Sequence, residues 1–244
     1  METTAYTSYR VWDRTIRWFH WINFLAVLGL IGTGLVIYNG KALGLSADAK
    51  VFMKEFHSLF GYVMAANLLW RIVWGFAGGR FSRWSGTLPF GRGYLAELGT
   101  YLKSLRSGEP RYYLGHNPLG RLMVLALLLL LAIQAVTGLM LASTDLYWPP
   151  FGTWIASWVA PAGVDPATLL PGDKTMADAA AWDAMRAFRK PFITLHEWTF
   201  FVLSAAIVAH IAAVVMGEVR EKAGLVSAMF HGNKVLPKKP VDLD

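Results

Sequence analysis

The sequence predicts an all-α integral-membrane four-helix bundle with both termini cytoplasmic. Three observations lead there. Of 244 residues, 55% are hydrophobic and only 16% charged, where an ordinary soluble domain carries roughly a quarter charged residues. Four segments, at about 18–38, 56–77, 121–142 and 195–217, each supply the roughly 20 apolar residues that cross a bilayer core. Basic residues gather in alternate regions between those segments, as the positive-inside rule requires.

The first segment, "WFHWINFLAVLGLIGTGLVIY", and the third, "RLMVLALLLLLAIQAVTGLML", are nearly free of charge once inside. The second, "FHSLFGYVMAANLLWRIVWGF", carries one intramembrane cation, Arg71, and the fourth runs through "LHEWTFFVLSAAIVAHIAAVVMG". The segments at 78–120 and 143–194 are too polar and too rich in Gly and Pro to span. Their amphipathic pieces "YLAELGTYLKSL" (94–105) and "FGTWIASWV" (151–159) are expected to lie along the membrane surface. Orientation follows from Arg10, Arg14 and Arg17 in the N-terminal arm, the run from Arg80 to Arg121 between spans two and three, and Arg220, Lys222, Lys234, Lys238 and Lys239 in the tail. These regions read as cytoplasmic, and the segments at 39–55 and 143–194 as extracytoplasmic. The N-terminus "METTAYTSYRVWDR" does not read as a cleaved signal peptide. The whole chain, 1–244, is read as one transmembrane domain in a bacterial cytoplasmic membrane.

The net charge of +7 does not point to nucleic acid, because the basic residues flank apolar runs. The absence of cysteine excludes disulfides, thiolate zinc sites, iron–sulfur clusters and covalent C-x-x-C-H haem attachment. A metal centre would therefore draw on six histidines. His196 and His210 are fourteen residues apart, which on a helix is some 40° short of four turns and a rise of roughly 21 Å. They project from nearly one face, one near each membrane surface. His57 opens the second span at the outer level, and His20 lies just inside the first at the inner level. The pairs His57/His196 and His20/His210 suit two six-coordinate haems in a bundle. Two imidazoles per level are too few for a bare transition-metal ion. A haem-free anchor or transporter is the rival reading, with the histidines as interfacial residues.

Arg71 falls at the depth of His210, and Arg14 and Arg17 lie within a turn or two of His20. All three are candidates to meet haem propionates, with snorkelling as the alternative for Arg71. Gly29, Gly32, Gly34, Gly61 and Gly138 would leave room for a flat macrocycle or for plain helix packing. "TGL" recurs at 33–35 and 137–139, a faint internal repeat. His116 and Asn117, in "YYLGHNPLGRL", could meet a quinone carbonyl, although "NP" also serves as a helix-opening turn. His231 reads as solvated.

"RWFHW", the "FH" opening span two, "GHNPLGRL", and "LHEW" followed by His210 resemble the b-type cytochrome subunit of membrane-bound nickel–iron hydrogenases. That group belongs to a superfamily with the gamma subunit of formate dehydrogenase and small bacterial diheme cytochromes b. The resemblance covers about residues 10–230. It implies two non-covalent haems b, ligated by His20, His57, His196 and His210, with a quinone-side loop around Asn117. It also implies electron transfer between an extracytoplasmic, hydrogenase-like partner and quinone. The sequence departs from the pattern where it has "HEWT" without further histidines, and its 143–194 segment is long. A stand-alone quinone-linked cytochrome served by superoxide or a small periplasmic carrier is the alternative.

Overall fold

The computed structural model describes residues 6–109, 111–221 and 224–243. Of the tail cations named above, Lys222 and the side chain of Arg220 lie outside the described residues. Among the described residues the regular structure is mainly helical: β1 (Thr7–Arg10), α1 (Arg14–Tyr38), α2 (Ala47–Ala77), α3 (Trp84–Thr87), α4 (Tyr94–Arg106), α5 (Pro118–Leu146), α6 (Gly152–Val159), α7 (Ala179–Glu221), α8 (Leu225–His231) and β2 (Asn233–Leu236). Four of these, α1, α2, α5 and α7, are long and apolar enough to cross a membrane.

Each long helix begins at a side chain that satisfies its otherwise unpaired N–H groups. The Asp13 carboxylate accepts the Ile16 N–H at 2.8 Å, Ser46 Oγ accepts from Ala49 at 3.2 Å, Asn117 Oδ1 accepts from Gly120 at 2.7 Å, and Asp178 accepts from Ala181 at 2.9 Å. Pro118 follows its cap at the first helical position, where a missing N–H costs nothing. Large apolar side chains along the helices point outward, among them Leu25, Leu28, Val208 and Ile211. In water these would form a forbidding apolar patch; in lipid they face a matching solvent.

The chain divides into two compact units, and every long helix contributes a segment to each. Unit 1 comprises 1–21, 68–130 and 203–244. It is closed by an antiparallel ribbon in which Thr7 pairs with Leu236 and Arg10 with Asn233. Val11, Trp12, Ile16, Leu114 and Ala228 form an apolar core beneath it, with Trp74 and Phe81 packed on. The C-terminal tail then clasps segment 111–117. The Asp242 carboxylate accepts the Leu114 and Gly115 N–H groups at 2.6 and 2.8 Å, and Lys234 Nζ donates to the Tyr113 and Gly115 carbonyls at 3.2 and 2.9 Å.

Unit 2 comprises 22–67 and 131–202. Here the structure corrects one expectation. Helix α7 starts at Ala179, well before the expected 195, and runs through Pro191. Its 43 residues extend roughly 65 Å, about twice the bilayer core. Helix α6 is amphipathic, as expected, with Thr153, Trp154 and Ser157 exposed and its other face covered by protein. Ile155 and Val159 are fully buried against Leu169 and Met185, with Trp158 and Phe188 alongside, so the emergent turns of α7 give α6 a protein face to cover. Helix α4 fits its expected amphipathic character: Tyr94 and Tyr101 are buried, while Leu95 and Leu102 are exposed. Asp145 joins three helices of this unit, receiving Lys54 Nζ and Arg189 Nη2, each at 2.8 Å.

Asp13 is more than a cap. Its second oxygen accepts from Ser82 Oγ at 2.6 Å and Trp74 Nε1 at 3.0 Å. Burial works to raise its pKa, but the bonds from Ser82, the Ile16 N–H and Trp74 outweigh it and hold the carboxyl below its ordinary value. Asp13→Ala should cost about 1–2 kcal/mol and lower the thermal midpoint followed by circular dichroism in detergent. Because the folded pKa lies below the unfolded one, the Asp13 contribution is complete above about pH 4 and is lost on acidification through the folded value. The midpoints of wild type and Asp13→Ala should therefore converge in acid.

Candidate functional site

In unit 2, His57 on α2 and His196 on α7 come together with ring centroids 6.2 Å apart and planes inclined at 76°. Each ring is oriented from a neighbouring helix. Thr33 Oγ1 on α1 lies 2.9 Å from His57 Nδ1, and Thr137 Oγ1 on α5 lies 2.8 Å from His196 Nδ1. The hydroxyl protons are already committed. Thr33 donates to the Gly29 carbonyl at 2.7 Å, and Thr137 donates to the Ile133 carbonyl at 2.7 Å. A hydroxyl has one proton, so each oxygen can only accept from the imidazole. Nδ1 is therefore the protonated nitrogen in both rings, and Nε2 keeps its lone pair.

The residues after these threonines make room for the rings. A Cβ at Gly34 would stand 3.3 Å from His57 Cε1, and one at Gly138 would stand 3.3 Å from His196 Cε1. The other glycines divide. Gly29 receives the Phe60 ring, whereas a Cβ at Gly32 or Gly61 would meet nothing within 4 Å. The repeated "TG" thus has a use that its spacing alone did not disclose: Thr sets a tautomer and Gly admits the ring. Gln134, not singled out from the sequence, donates from Nε2 to the His196 backbone carbonyl at 3.0 Å and ties α5 to α7.

This pair suits a metal carried in a macrocycle. An iron roughly 2 Å from each of two imidazole nitrogens, with each ring centre roughly 1 Å further back, calls for centroids about 6 Å apart. Among the described residues no group of three or more His, Cys, Asp or Glu side chains forms. A bare ion would find only two protein ligands, whereas haem brings four nitrogens of its own.

In unit 1, His20 and His210 lie within electrostatic range of one another. His20 Nδ1 is buried and has no hydrogen-bond partner. Around them are cations with unspent donors. Arg71 is only 4% exposed; its Nη2 donates to Thr87 Oγ1 at 3.3 Å, its guanidinium sits 4.2 Å over the Trp84 ring, and Nη1 is unpartnered. Arg17 donates to the Phe230 carbonyl but leaves Nε unpartnered, as does Arg121. Buried orphan donors on arginine suit an anionic group such as a carboxylate. Arg14 is exposed and has no such contact among the described residues.

His116 packs its ring 4.8 Å from that of Trp12, and its Nδ1 is buried without a partner. Burial pushes its pKa down to about 3, and the positive charges of Lys234, Arg71, Arg121 and His210 act in the same direction. The ring is neutral at physiological pH and offers one donor and one acceptor. Asn117 is differently employed. Its carbonyl caps α5 at Gly120, and its amide donates to Tyr101 Oη at 2.7 Å.

The sequence profile of the prokaryotic cytochrome b561 family matches residues 11–232. A "Probable Ni/Fe-hydrogenase B-type cytochrome subunit" of Cupriavidus necator is 25% identical over 233 residues, covering 91% of this chain and 85% of that relative. The protein of the same name from Bradyrhizobium diazoefficiens is 27% identical, covering 92% and 85%. The "Probable Ni/Fe-hydrogenase 1 B-type cytochrome subunit" of Escherichia coli K12 is 30% identical over 147 residues, 56% of this chain and 61% of its own. No solved structure gave a significant match. Four membrane-crossing helices, histidines held with one ring nitrogen open, and a family match over nearly the whole length lead to one conclusion: the chain belongs to the prokaryotic cytochrome b561 family, as a multi-pass membrane cytochrome b of electron transfer.

Proposed function

We propose that the chain is the diheme membrane subunit of a larger oxidoreductase, carrying electrons between a hydrogenase-like partner outside the cytoplasm and the quinone pool. His57 and His196 would hold one haem b, and His20 and His210 the other. The observation that carries this reading is the His57–His196 pair, 6.2 Å apart with both Nδ1 atoms committed to threonines. Haem b supplies reversible one-electron chemistry when bound. The chain's own residues ligate it, fix the ligand tautomers, exclude water and balance charge. Arg71 and Arg17 are the propionate partners in this reading; Arg14, exposed, is the weakest of the three candidates.

The partner assignment draws on the names of the relatives, which are hydrogenase cytochrome subunits. The distribution of basic residues supports cytoplasmic termini in a bacterial inner membrane, with the 143–194 segment outside. For quinone, His116 is favoured over Asn117, because Asn117 is engaged as a cap while His116 is neutral and keeps an unspent ring nitrogen. A neutral imidazole can donate to a quinone carbonyl.

Ligation is tested by counting haems. His210→Ala should reduce a pyridine haemochrome count from two haems per chain to one, and His57→Ala should do the same at the other level. Two haems in either variant would remove that histidine from the ligand set. Topology is tested by fusions: a reporter after Lys103 should behave as cytoplasmic and one near Asp173 as extracytoplasmic. At the quinone site, His116→Leu should keep both haems and their spectra, while reoxidation by added quinone slows about fivefold, the scale of one lost hydrogen bond. Asn117→Leu should act mainly through stability, by uncapping α5. Unchanged reoxidation in a fully loaded His116→Leu protein would exclude His116.

A further inference from the structure

We propose that Thr33 and Thr137 are positioning residues that hold the His57–His196 site at a lower reduction potential than the His20–His210 site. The inference rests on the haem reading above. An imidazole that donates its N–H to an acceptor becomes more basic at its other nitrogen, and a more electron-donating ligand favours ferric over ferrous iron. Both rings in unit 2 have such an acceptor, at 2.9 and 2.8 Å. Neither threonine can reverse the bond, because its proton is committed to its own helix at 2.7 Å.

Unit 1 is built the other way. His20 Nδ1 is buried with no partner, and His210 has no hydrogen bond from its ring among the described residues. The surrounding charge adds to the difference. Arg71 and Arg121 keep unpartnered buried donors, and both lie with Lys234 and His210 in the electrostatic neighbourhood of His116. Positive charge favours the redox state with one more electron. In unit 2 the single Asp145 carboxylate offsets one of the two positive charges of Lys54 and Arg189. Hydrogen bonding thus separates the two sites, and the unspent arginine donors of unit 1 act in the same sense. One electron passing from ferrous iron at the first site to ferric iron at the second would run downhill, with no proton moved.

The test is a spectroelectrochemical titration of the full chain carrying its haems, with the haemochrome count taken first. Two resolved midpoint potentials are expected. Thr33→Val and Thr137→Val remove the acceptor oxygen at nearly constant volume. Each should raise only the lower midpoint, changing the oxidised-to-reduced ratio at fixed potential about fivefold, or about 40 mV at 59 mV per decade. Thr33→Ser and Thr137→Ser keep the oxygen and should restore the wild-type value. The haem retained in His57→Ala should be the high-potential one. Should the valine variants lose haem, this assignment of the wild-type midpoints decides alone. Coincident midpoints, a reversed order, or valine variants that leave the lower midpoint in place would each overturn the proposal. A wild-type chain with no haem would overturn the ligation reading, and this inference with it, before any potential was read.

Discussion

A threonine hydroxyl inside a membrane helix has one proton and an available carbonyl one turn back, and Thr33 and Thr137 both spend theirs there. What remains is a lone pair, and the structure aims each at an imidazole N–H. With no water in the hydrocarbon region to offer an alternative, this local habit of threonine becomes a directional constraint between helices. α1 orients a ring on α2, and α5 orients a ring on α7. The adjacent glycines let the rings approach backbone that any side chain would have pushed away. A family that must hold a flat redox group between helices needs its ligands fixed before the group arrives, because a free imidazole rotates and exchanges tautomers.

Unit 1 solves a different problem with different means. Its histidines sit among arginines whose donors are only partly used, and its polar loop at 111–117 is held by the tail rather than by a neighbouring span. Lys234 is buried and donates to two carbonyls of that loop. Asp13 supplies the countercharge within electrostatic range of Arg71 while capping α1. Such a region is polar, positively charged and open to an anion, which is unusual at membrane depth and marks function more than stability.

Much of this was legible in the sequence. Length and apolarity give the four spans, and the spacing of the histidines suggests the pairing of His57 with His196, whose rings the structure brings together. The helix caps at Asp13, Ser46, Asn117 and Asp178 are ordinary residues in ordinary places, and Asn117 shows how a cap can pass for a site residue when it stands beside a histidine. The repeated "TGL" could be seen but not interpreted, because its meaning lies in which helix each copy faces. The early start of α7 was hidden by Pro191 and by the polar run before it. That run, "AAAWDAMRAFRK", is itself rich in helix formers, and packing against α6 covers one of its faces. The charge pattern around His116 was out of reach, since it joins residues from the N-terminal arm, α2, α5 and the tail.

The ribbon pairing Thr7 with Leu236 has a chronological side. Its two strands are far apart along the chain, separated by roughly ten to fifty seconds of synthesis at 5–20 residues per second. Until the tail emerges, the N-terminal arm lacks its strand partner, and the 111–117 loop lacks the carboxylate of Asp242. The residues of unit 2 end at 202. Its threonine-set histidines can therefore be in place while unit 1 is still missing its second histidine, its ribbon and its clasp. The order of synthesis thereby stages the fold: the half holding His57 and His196 can mature first, and the half holding His20 and His210 closes only once residues 233–242 have been made.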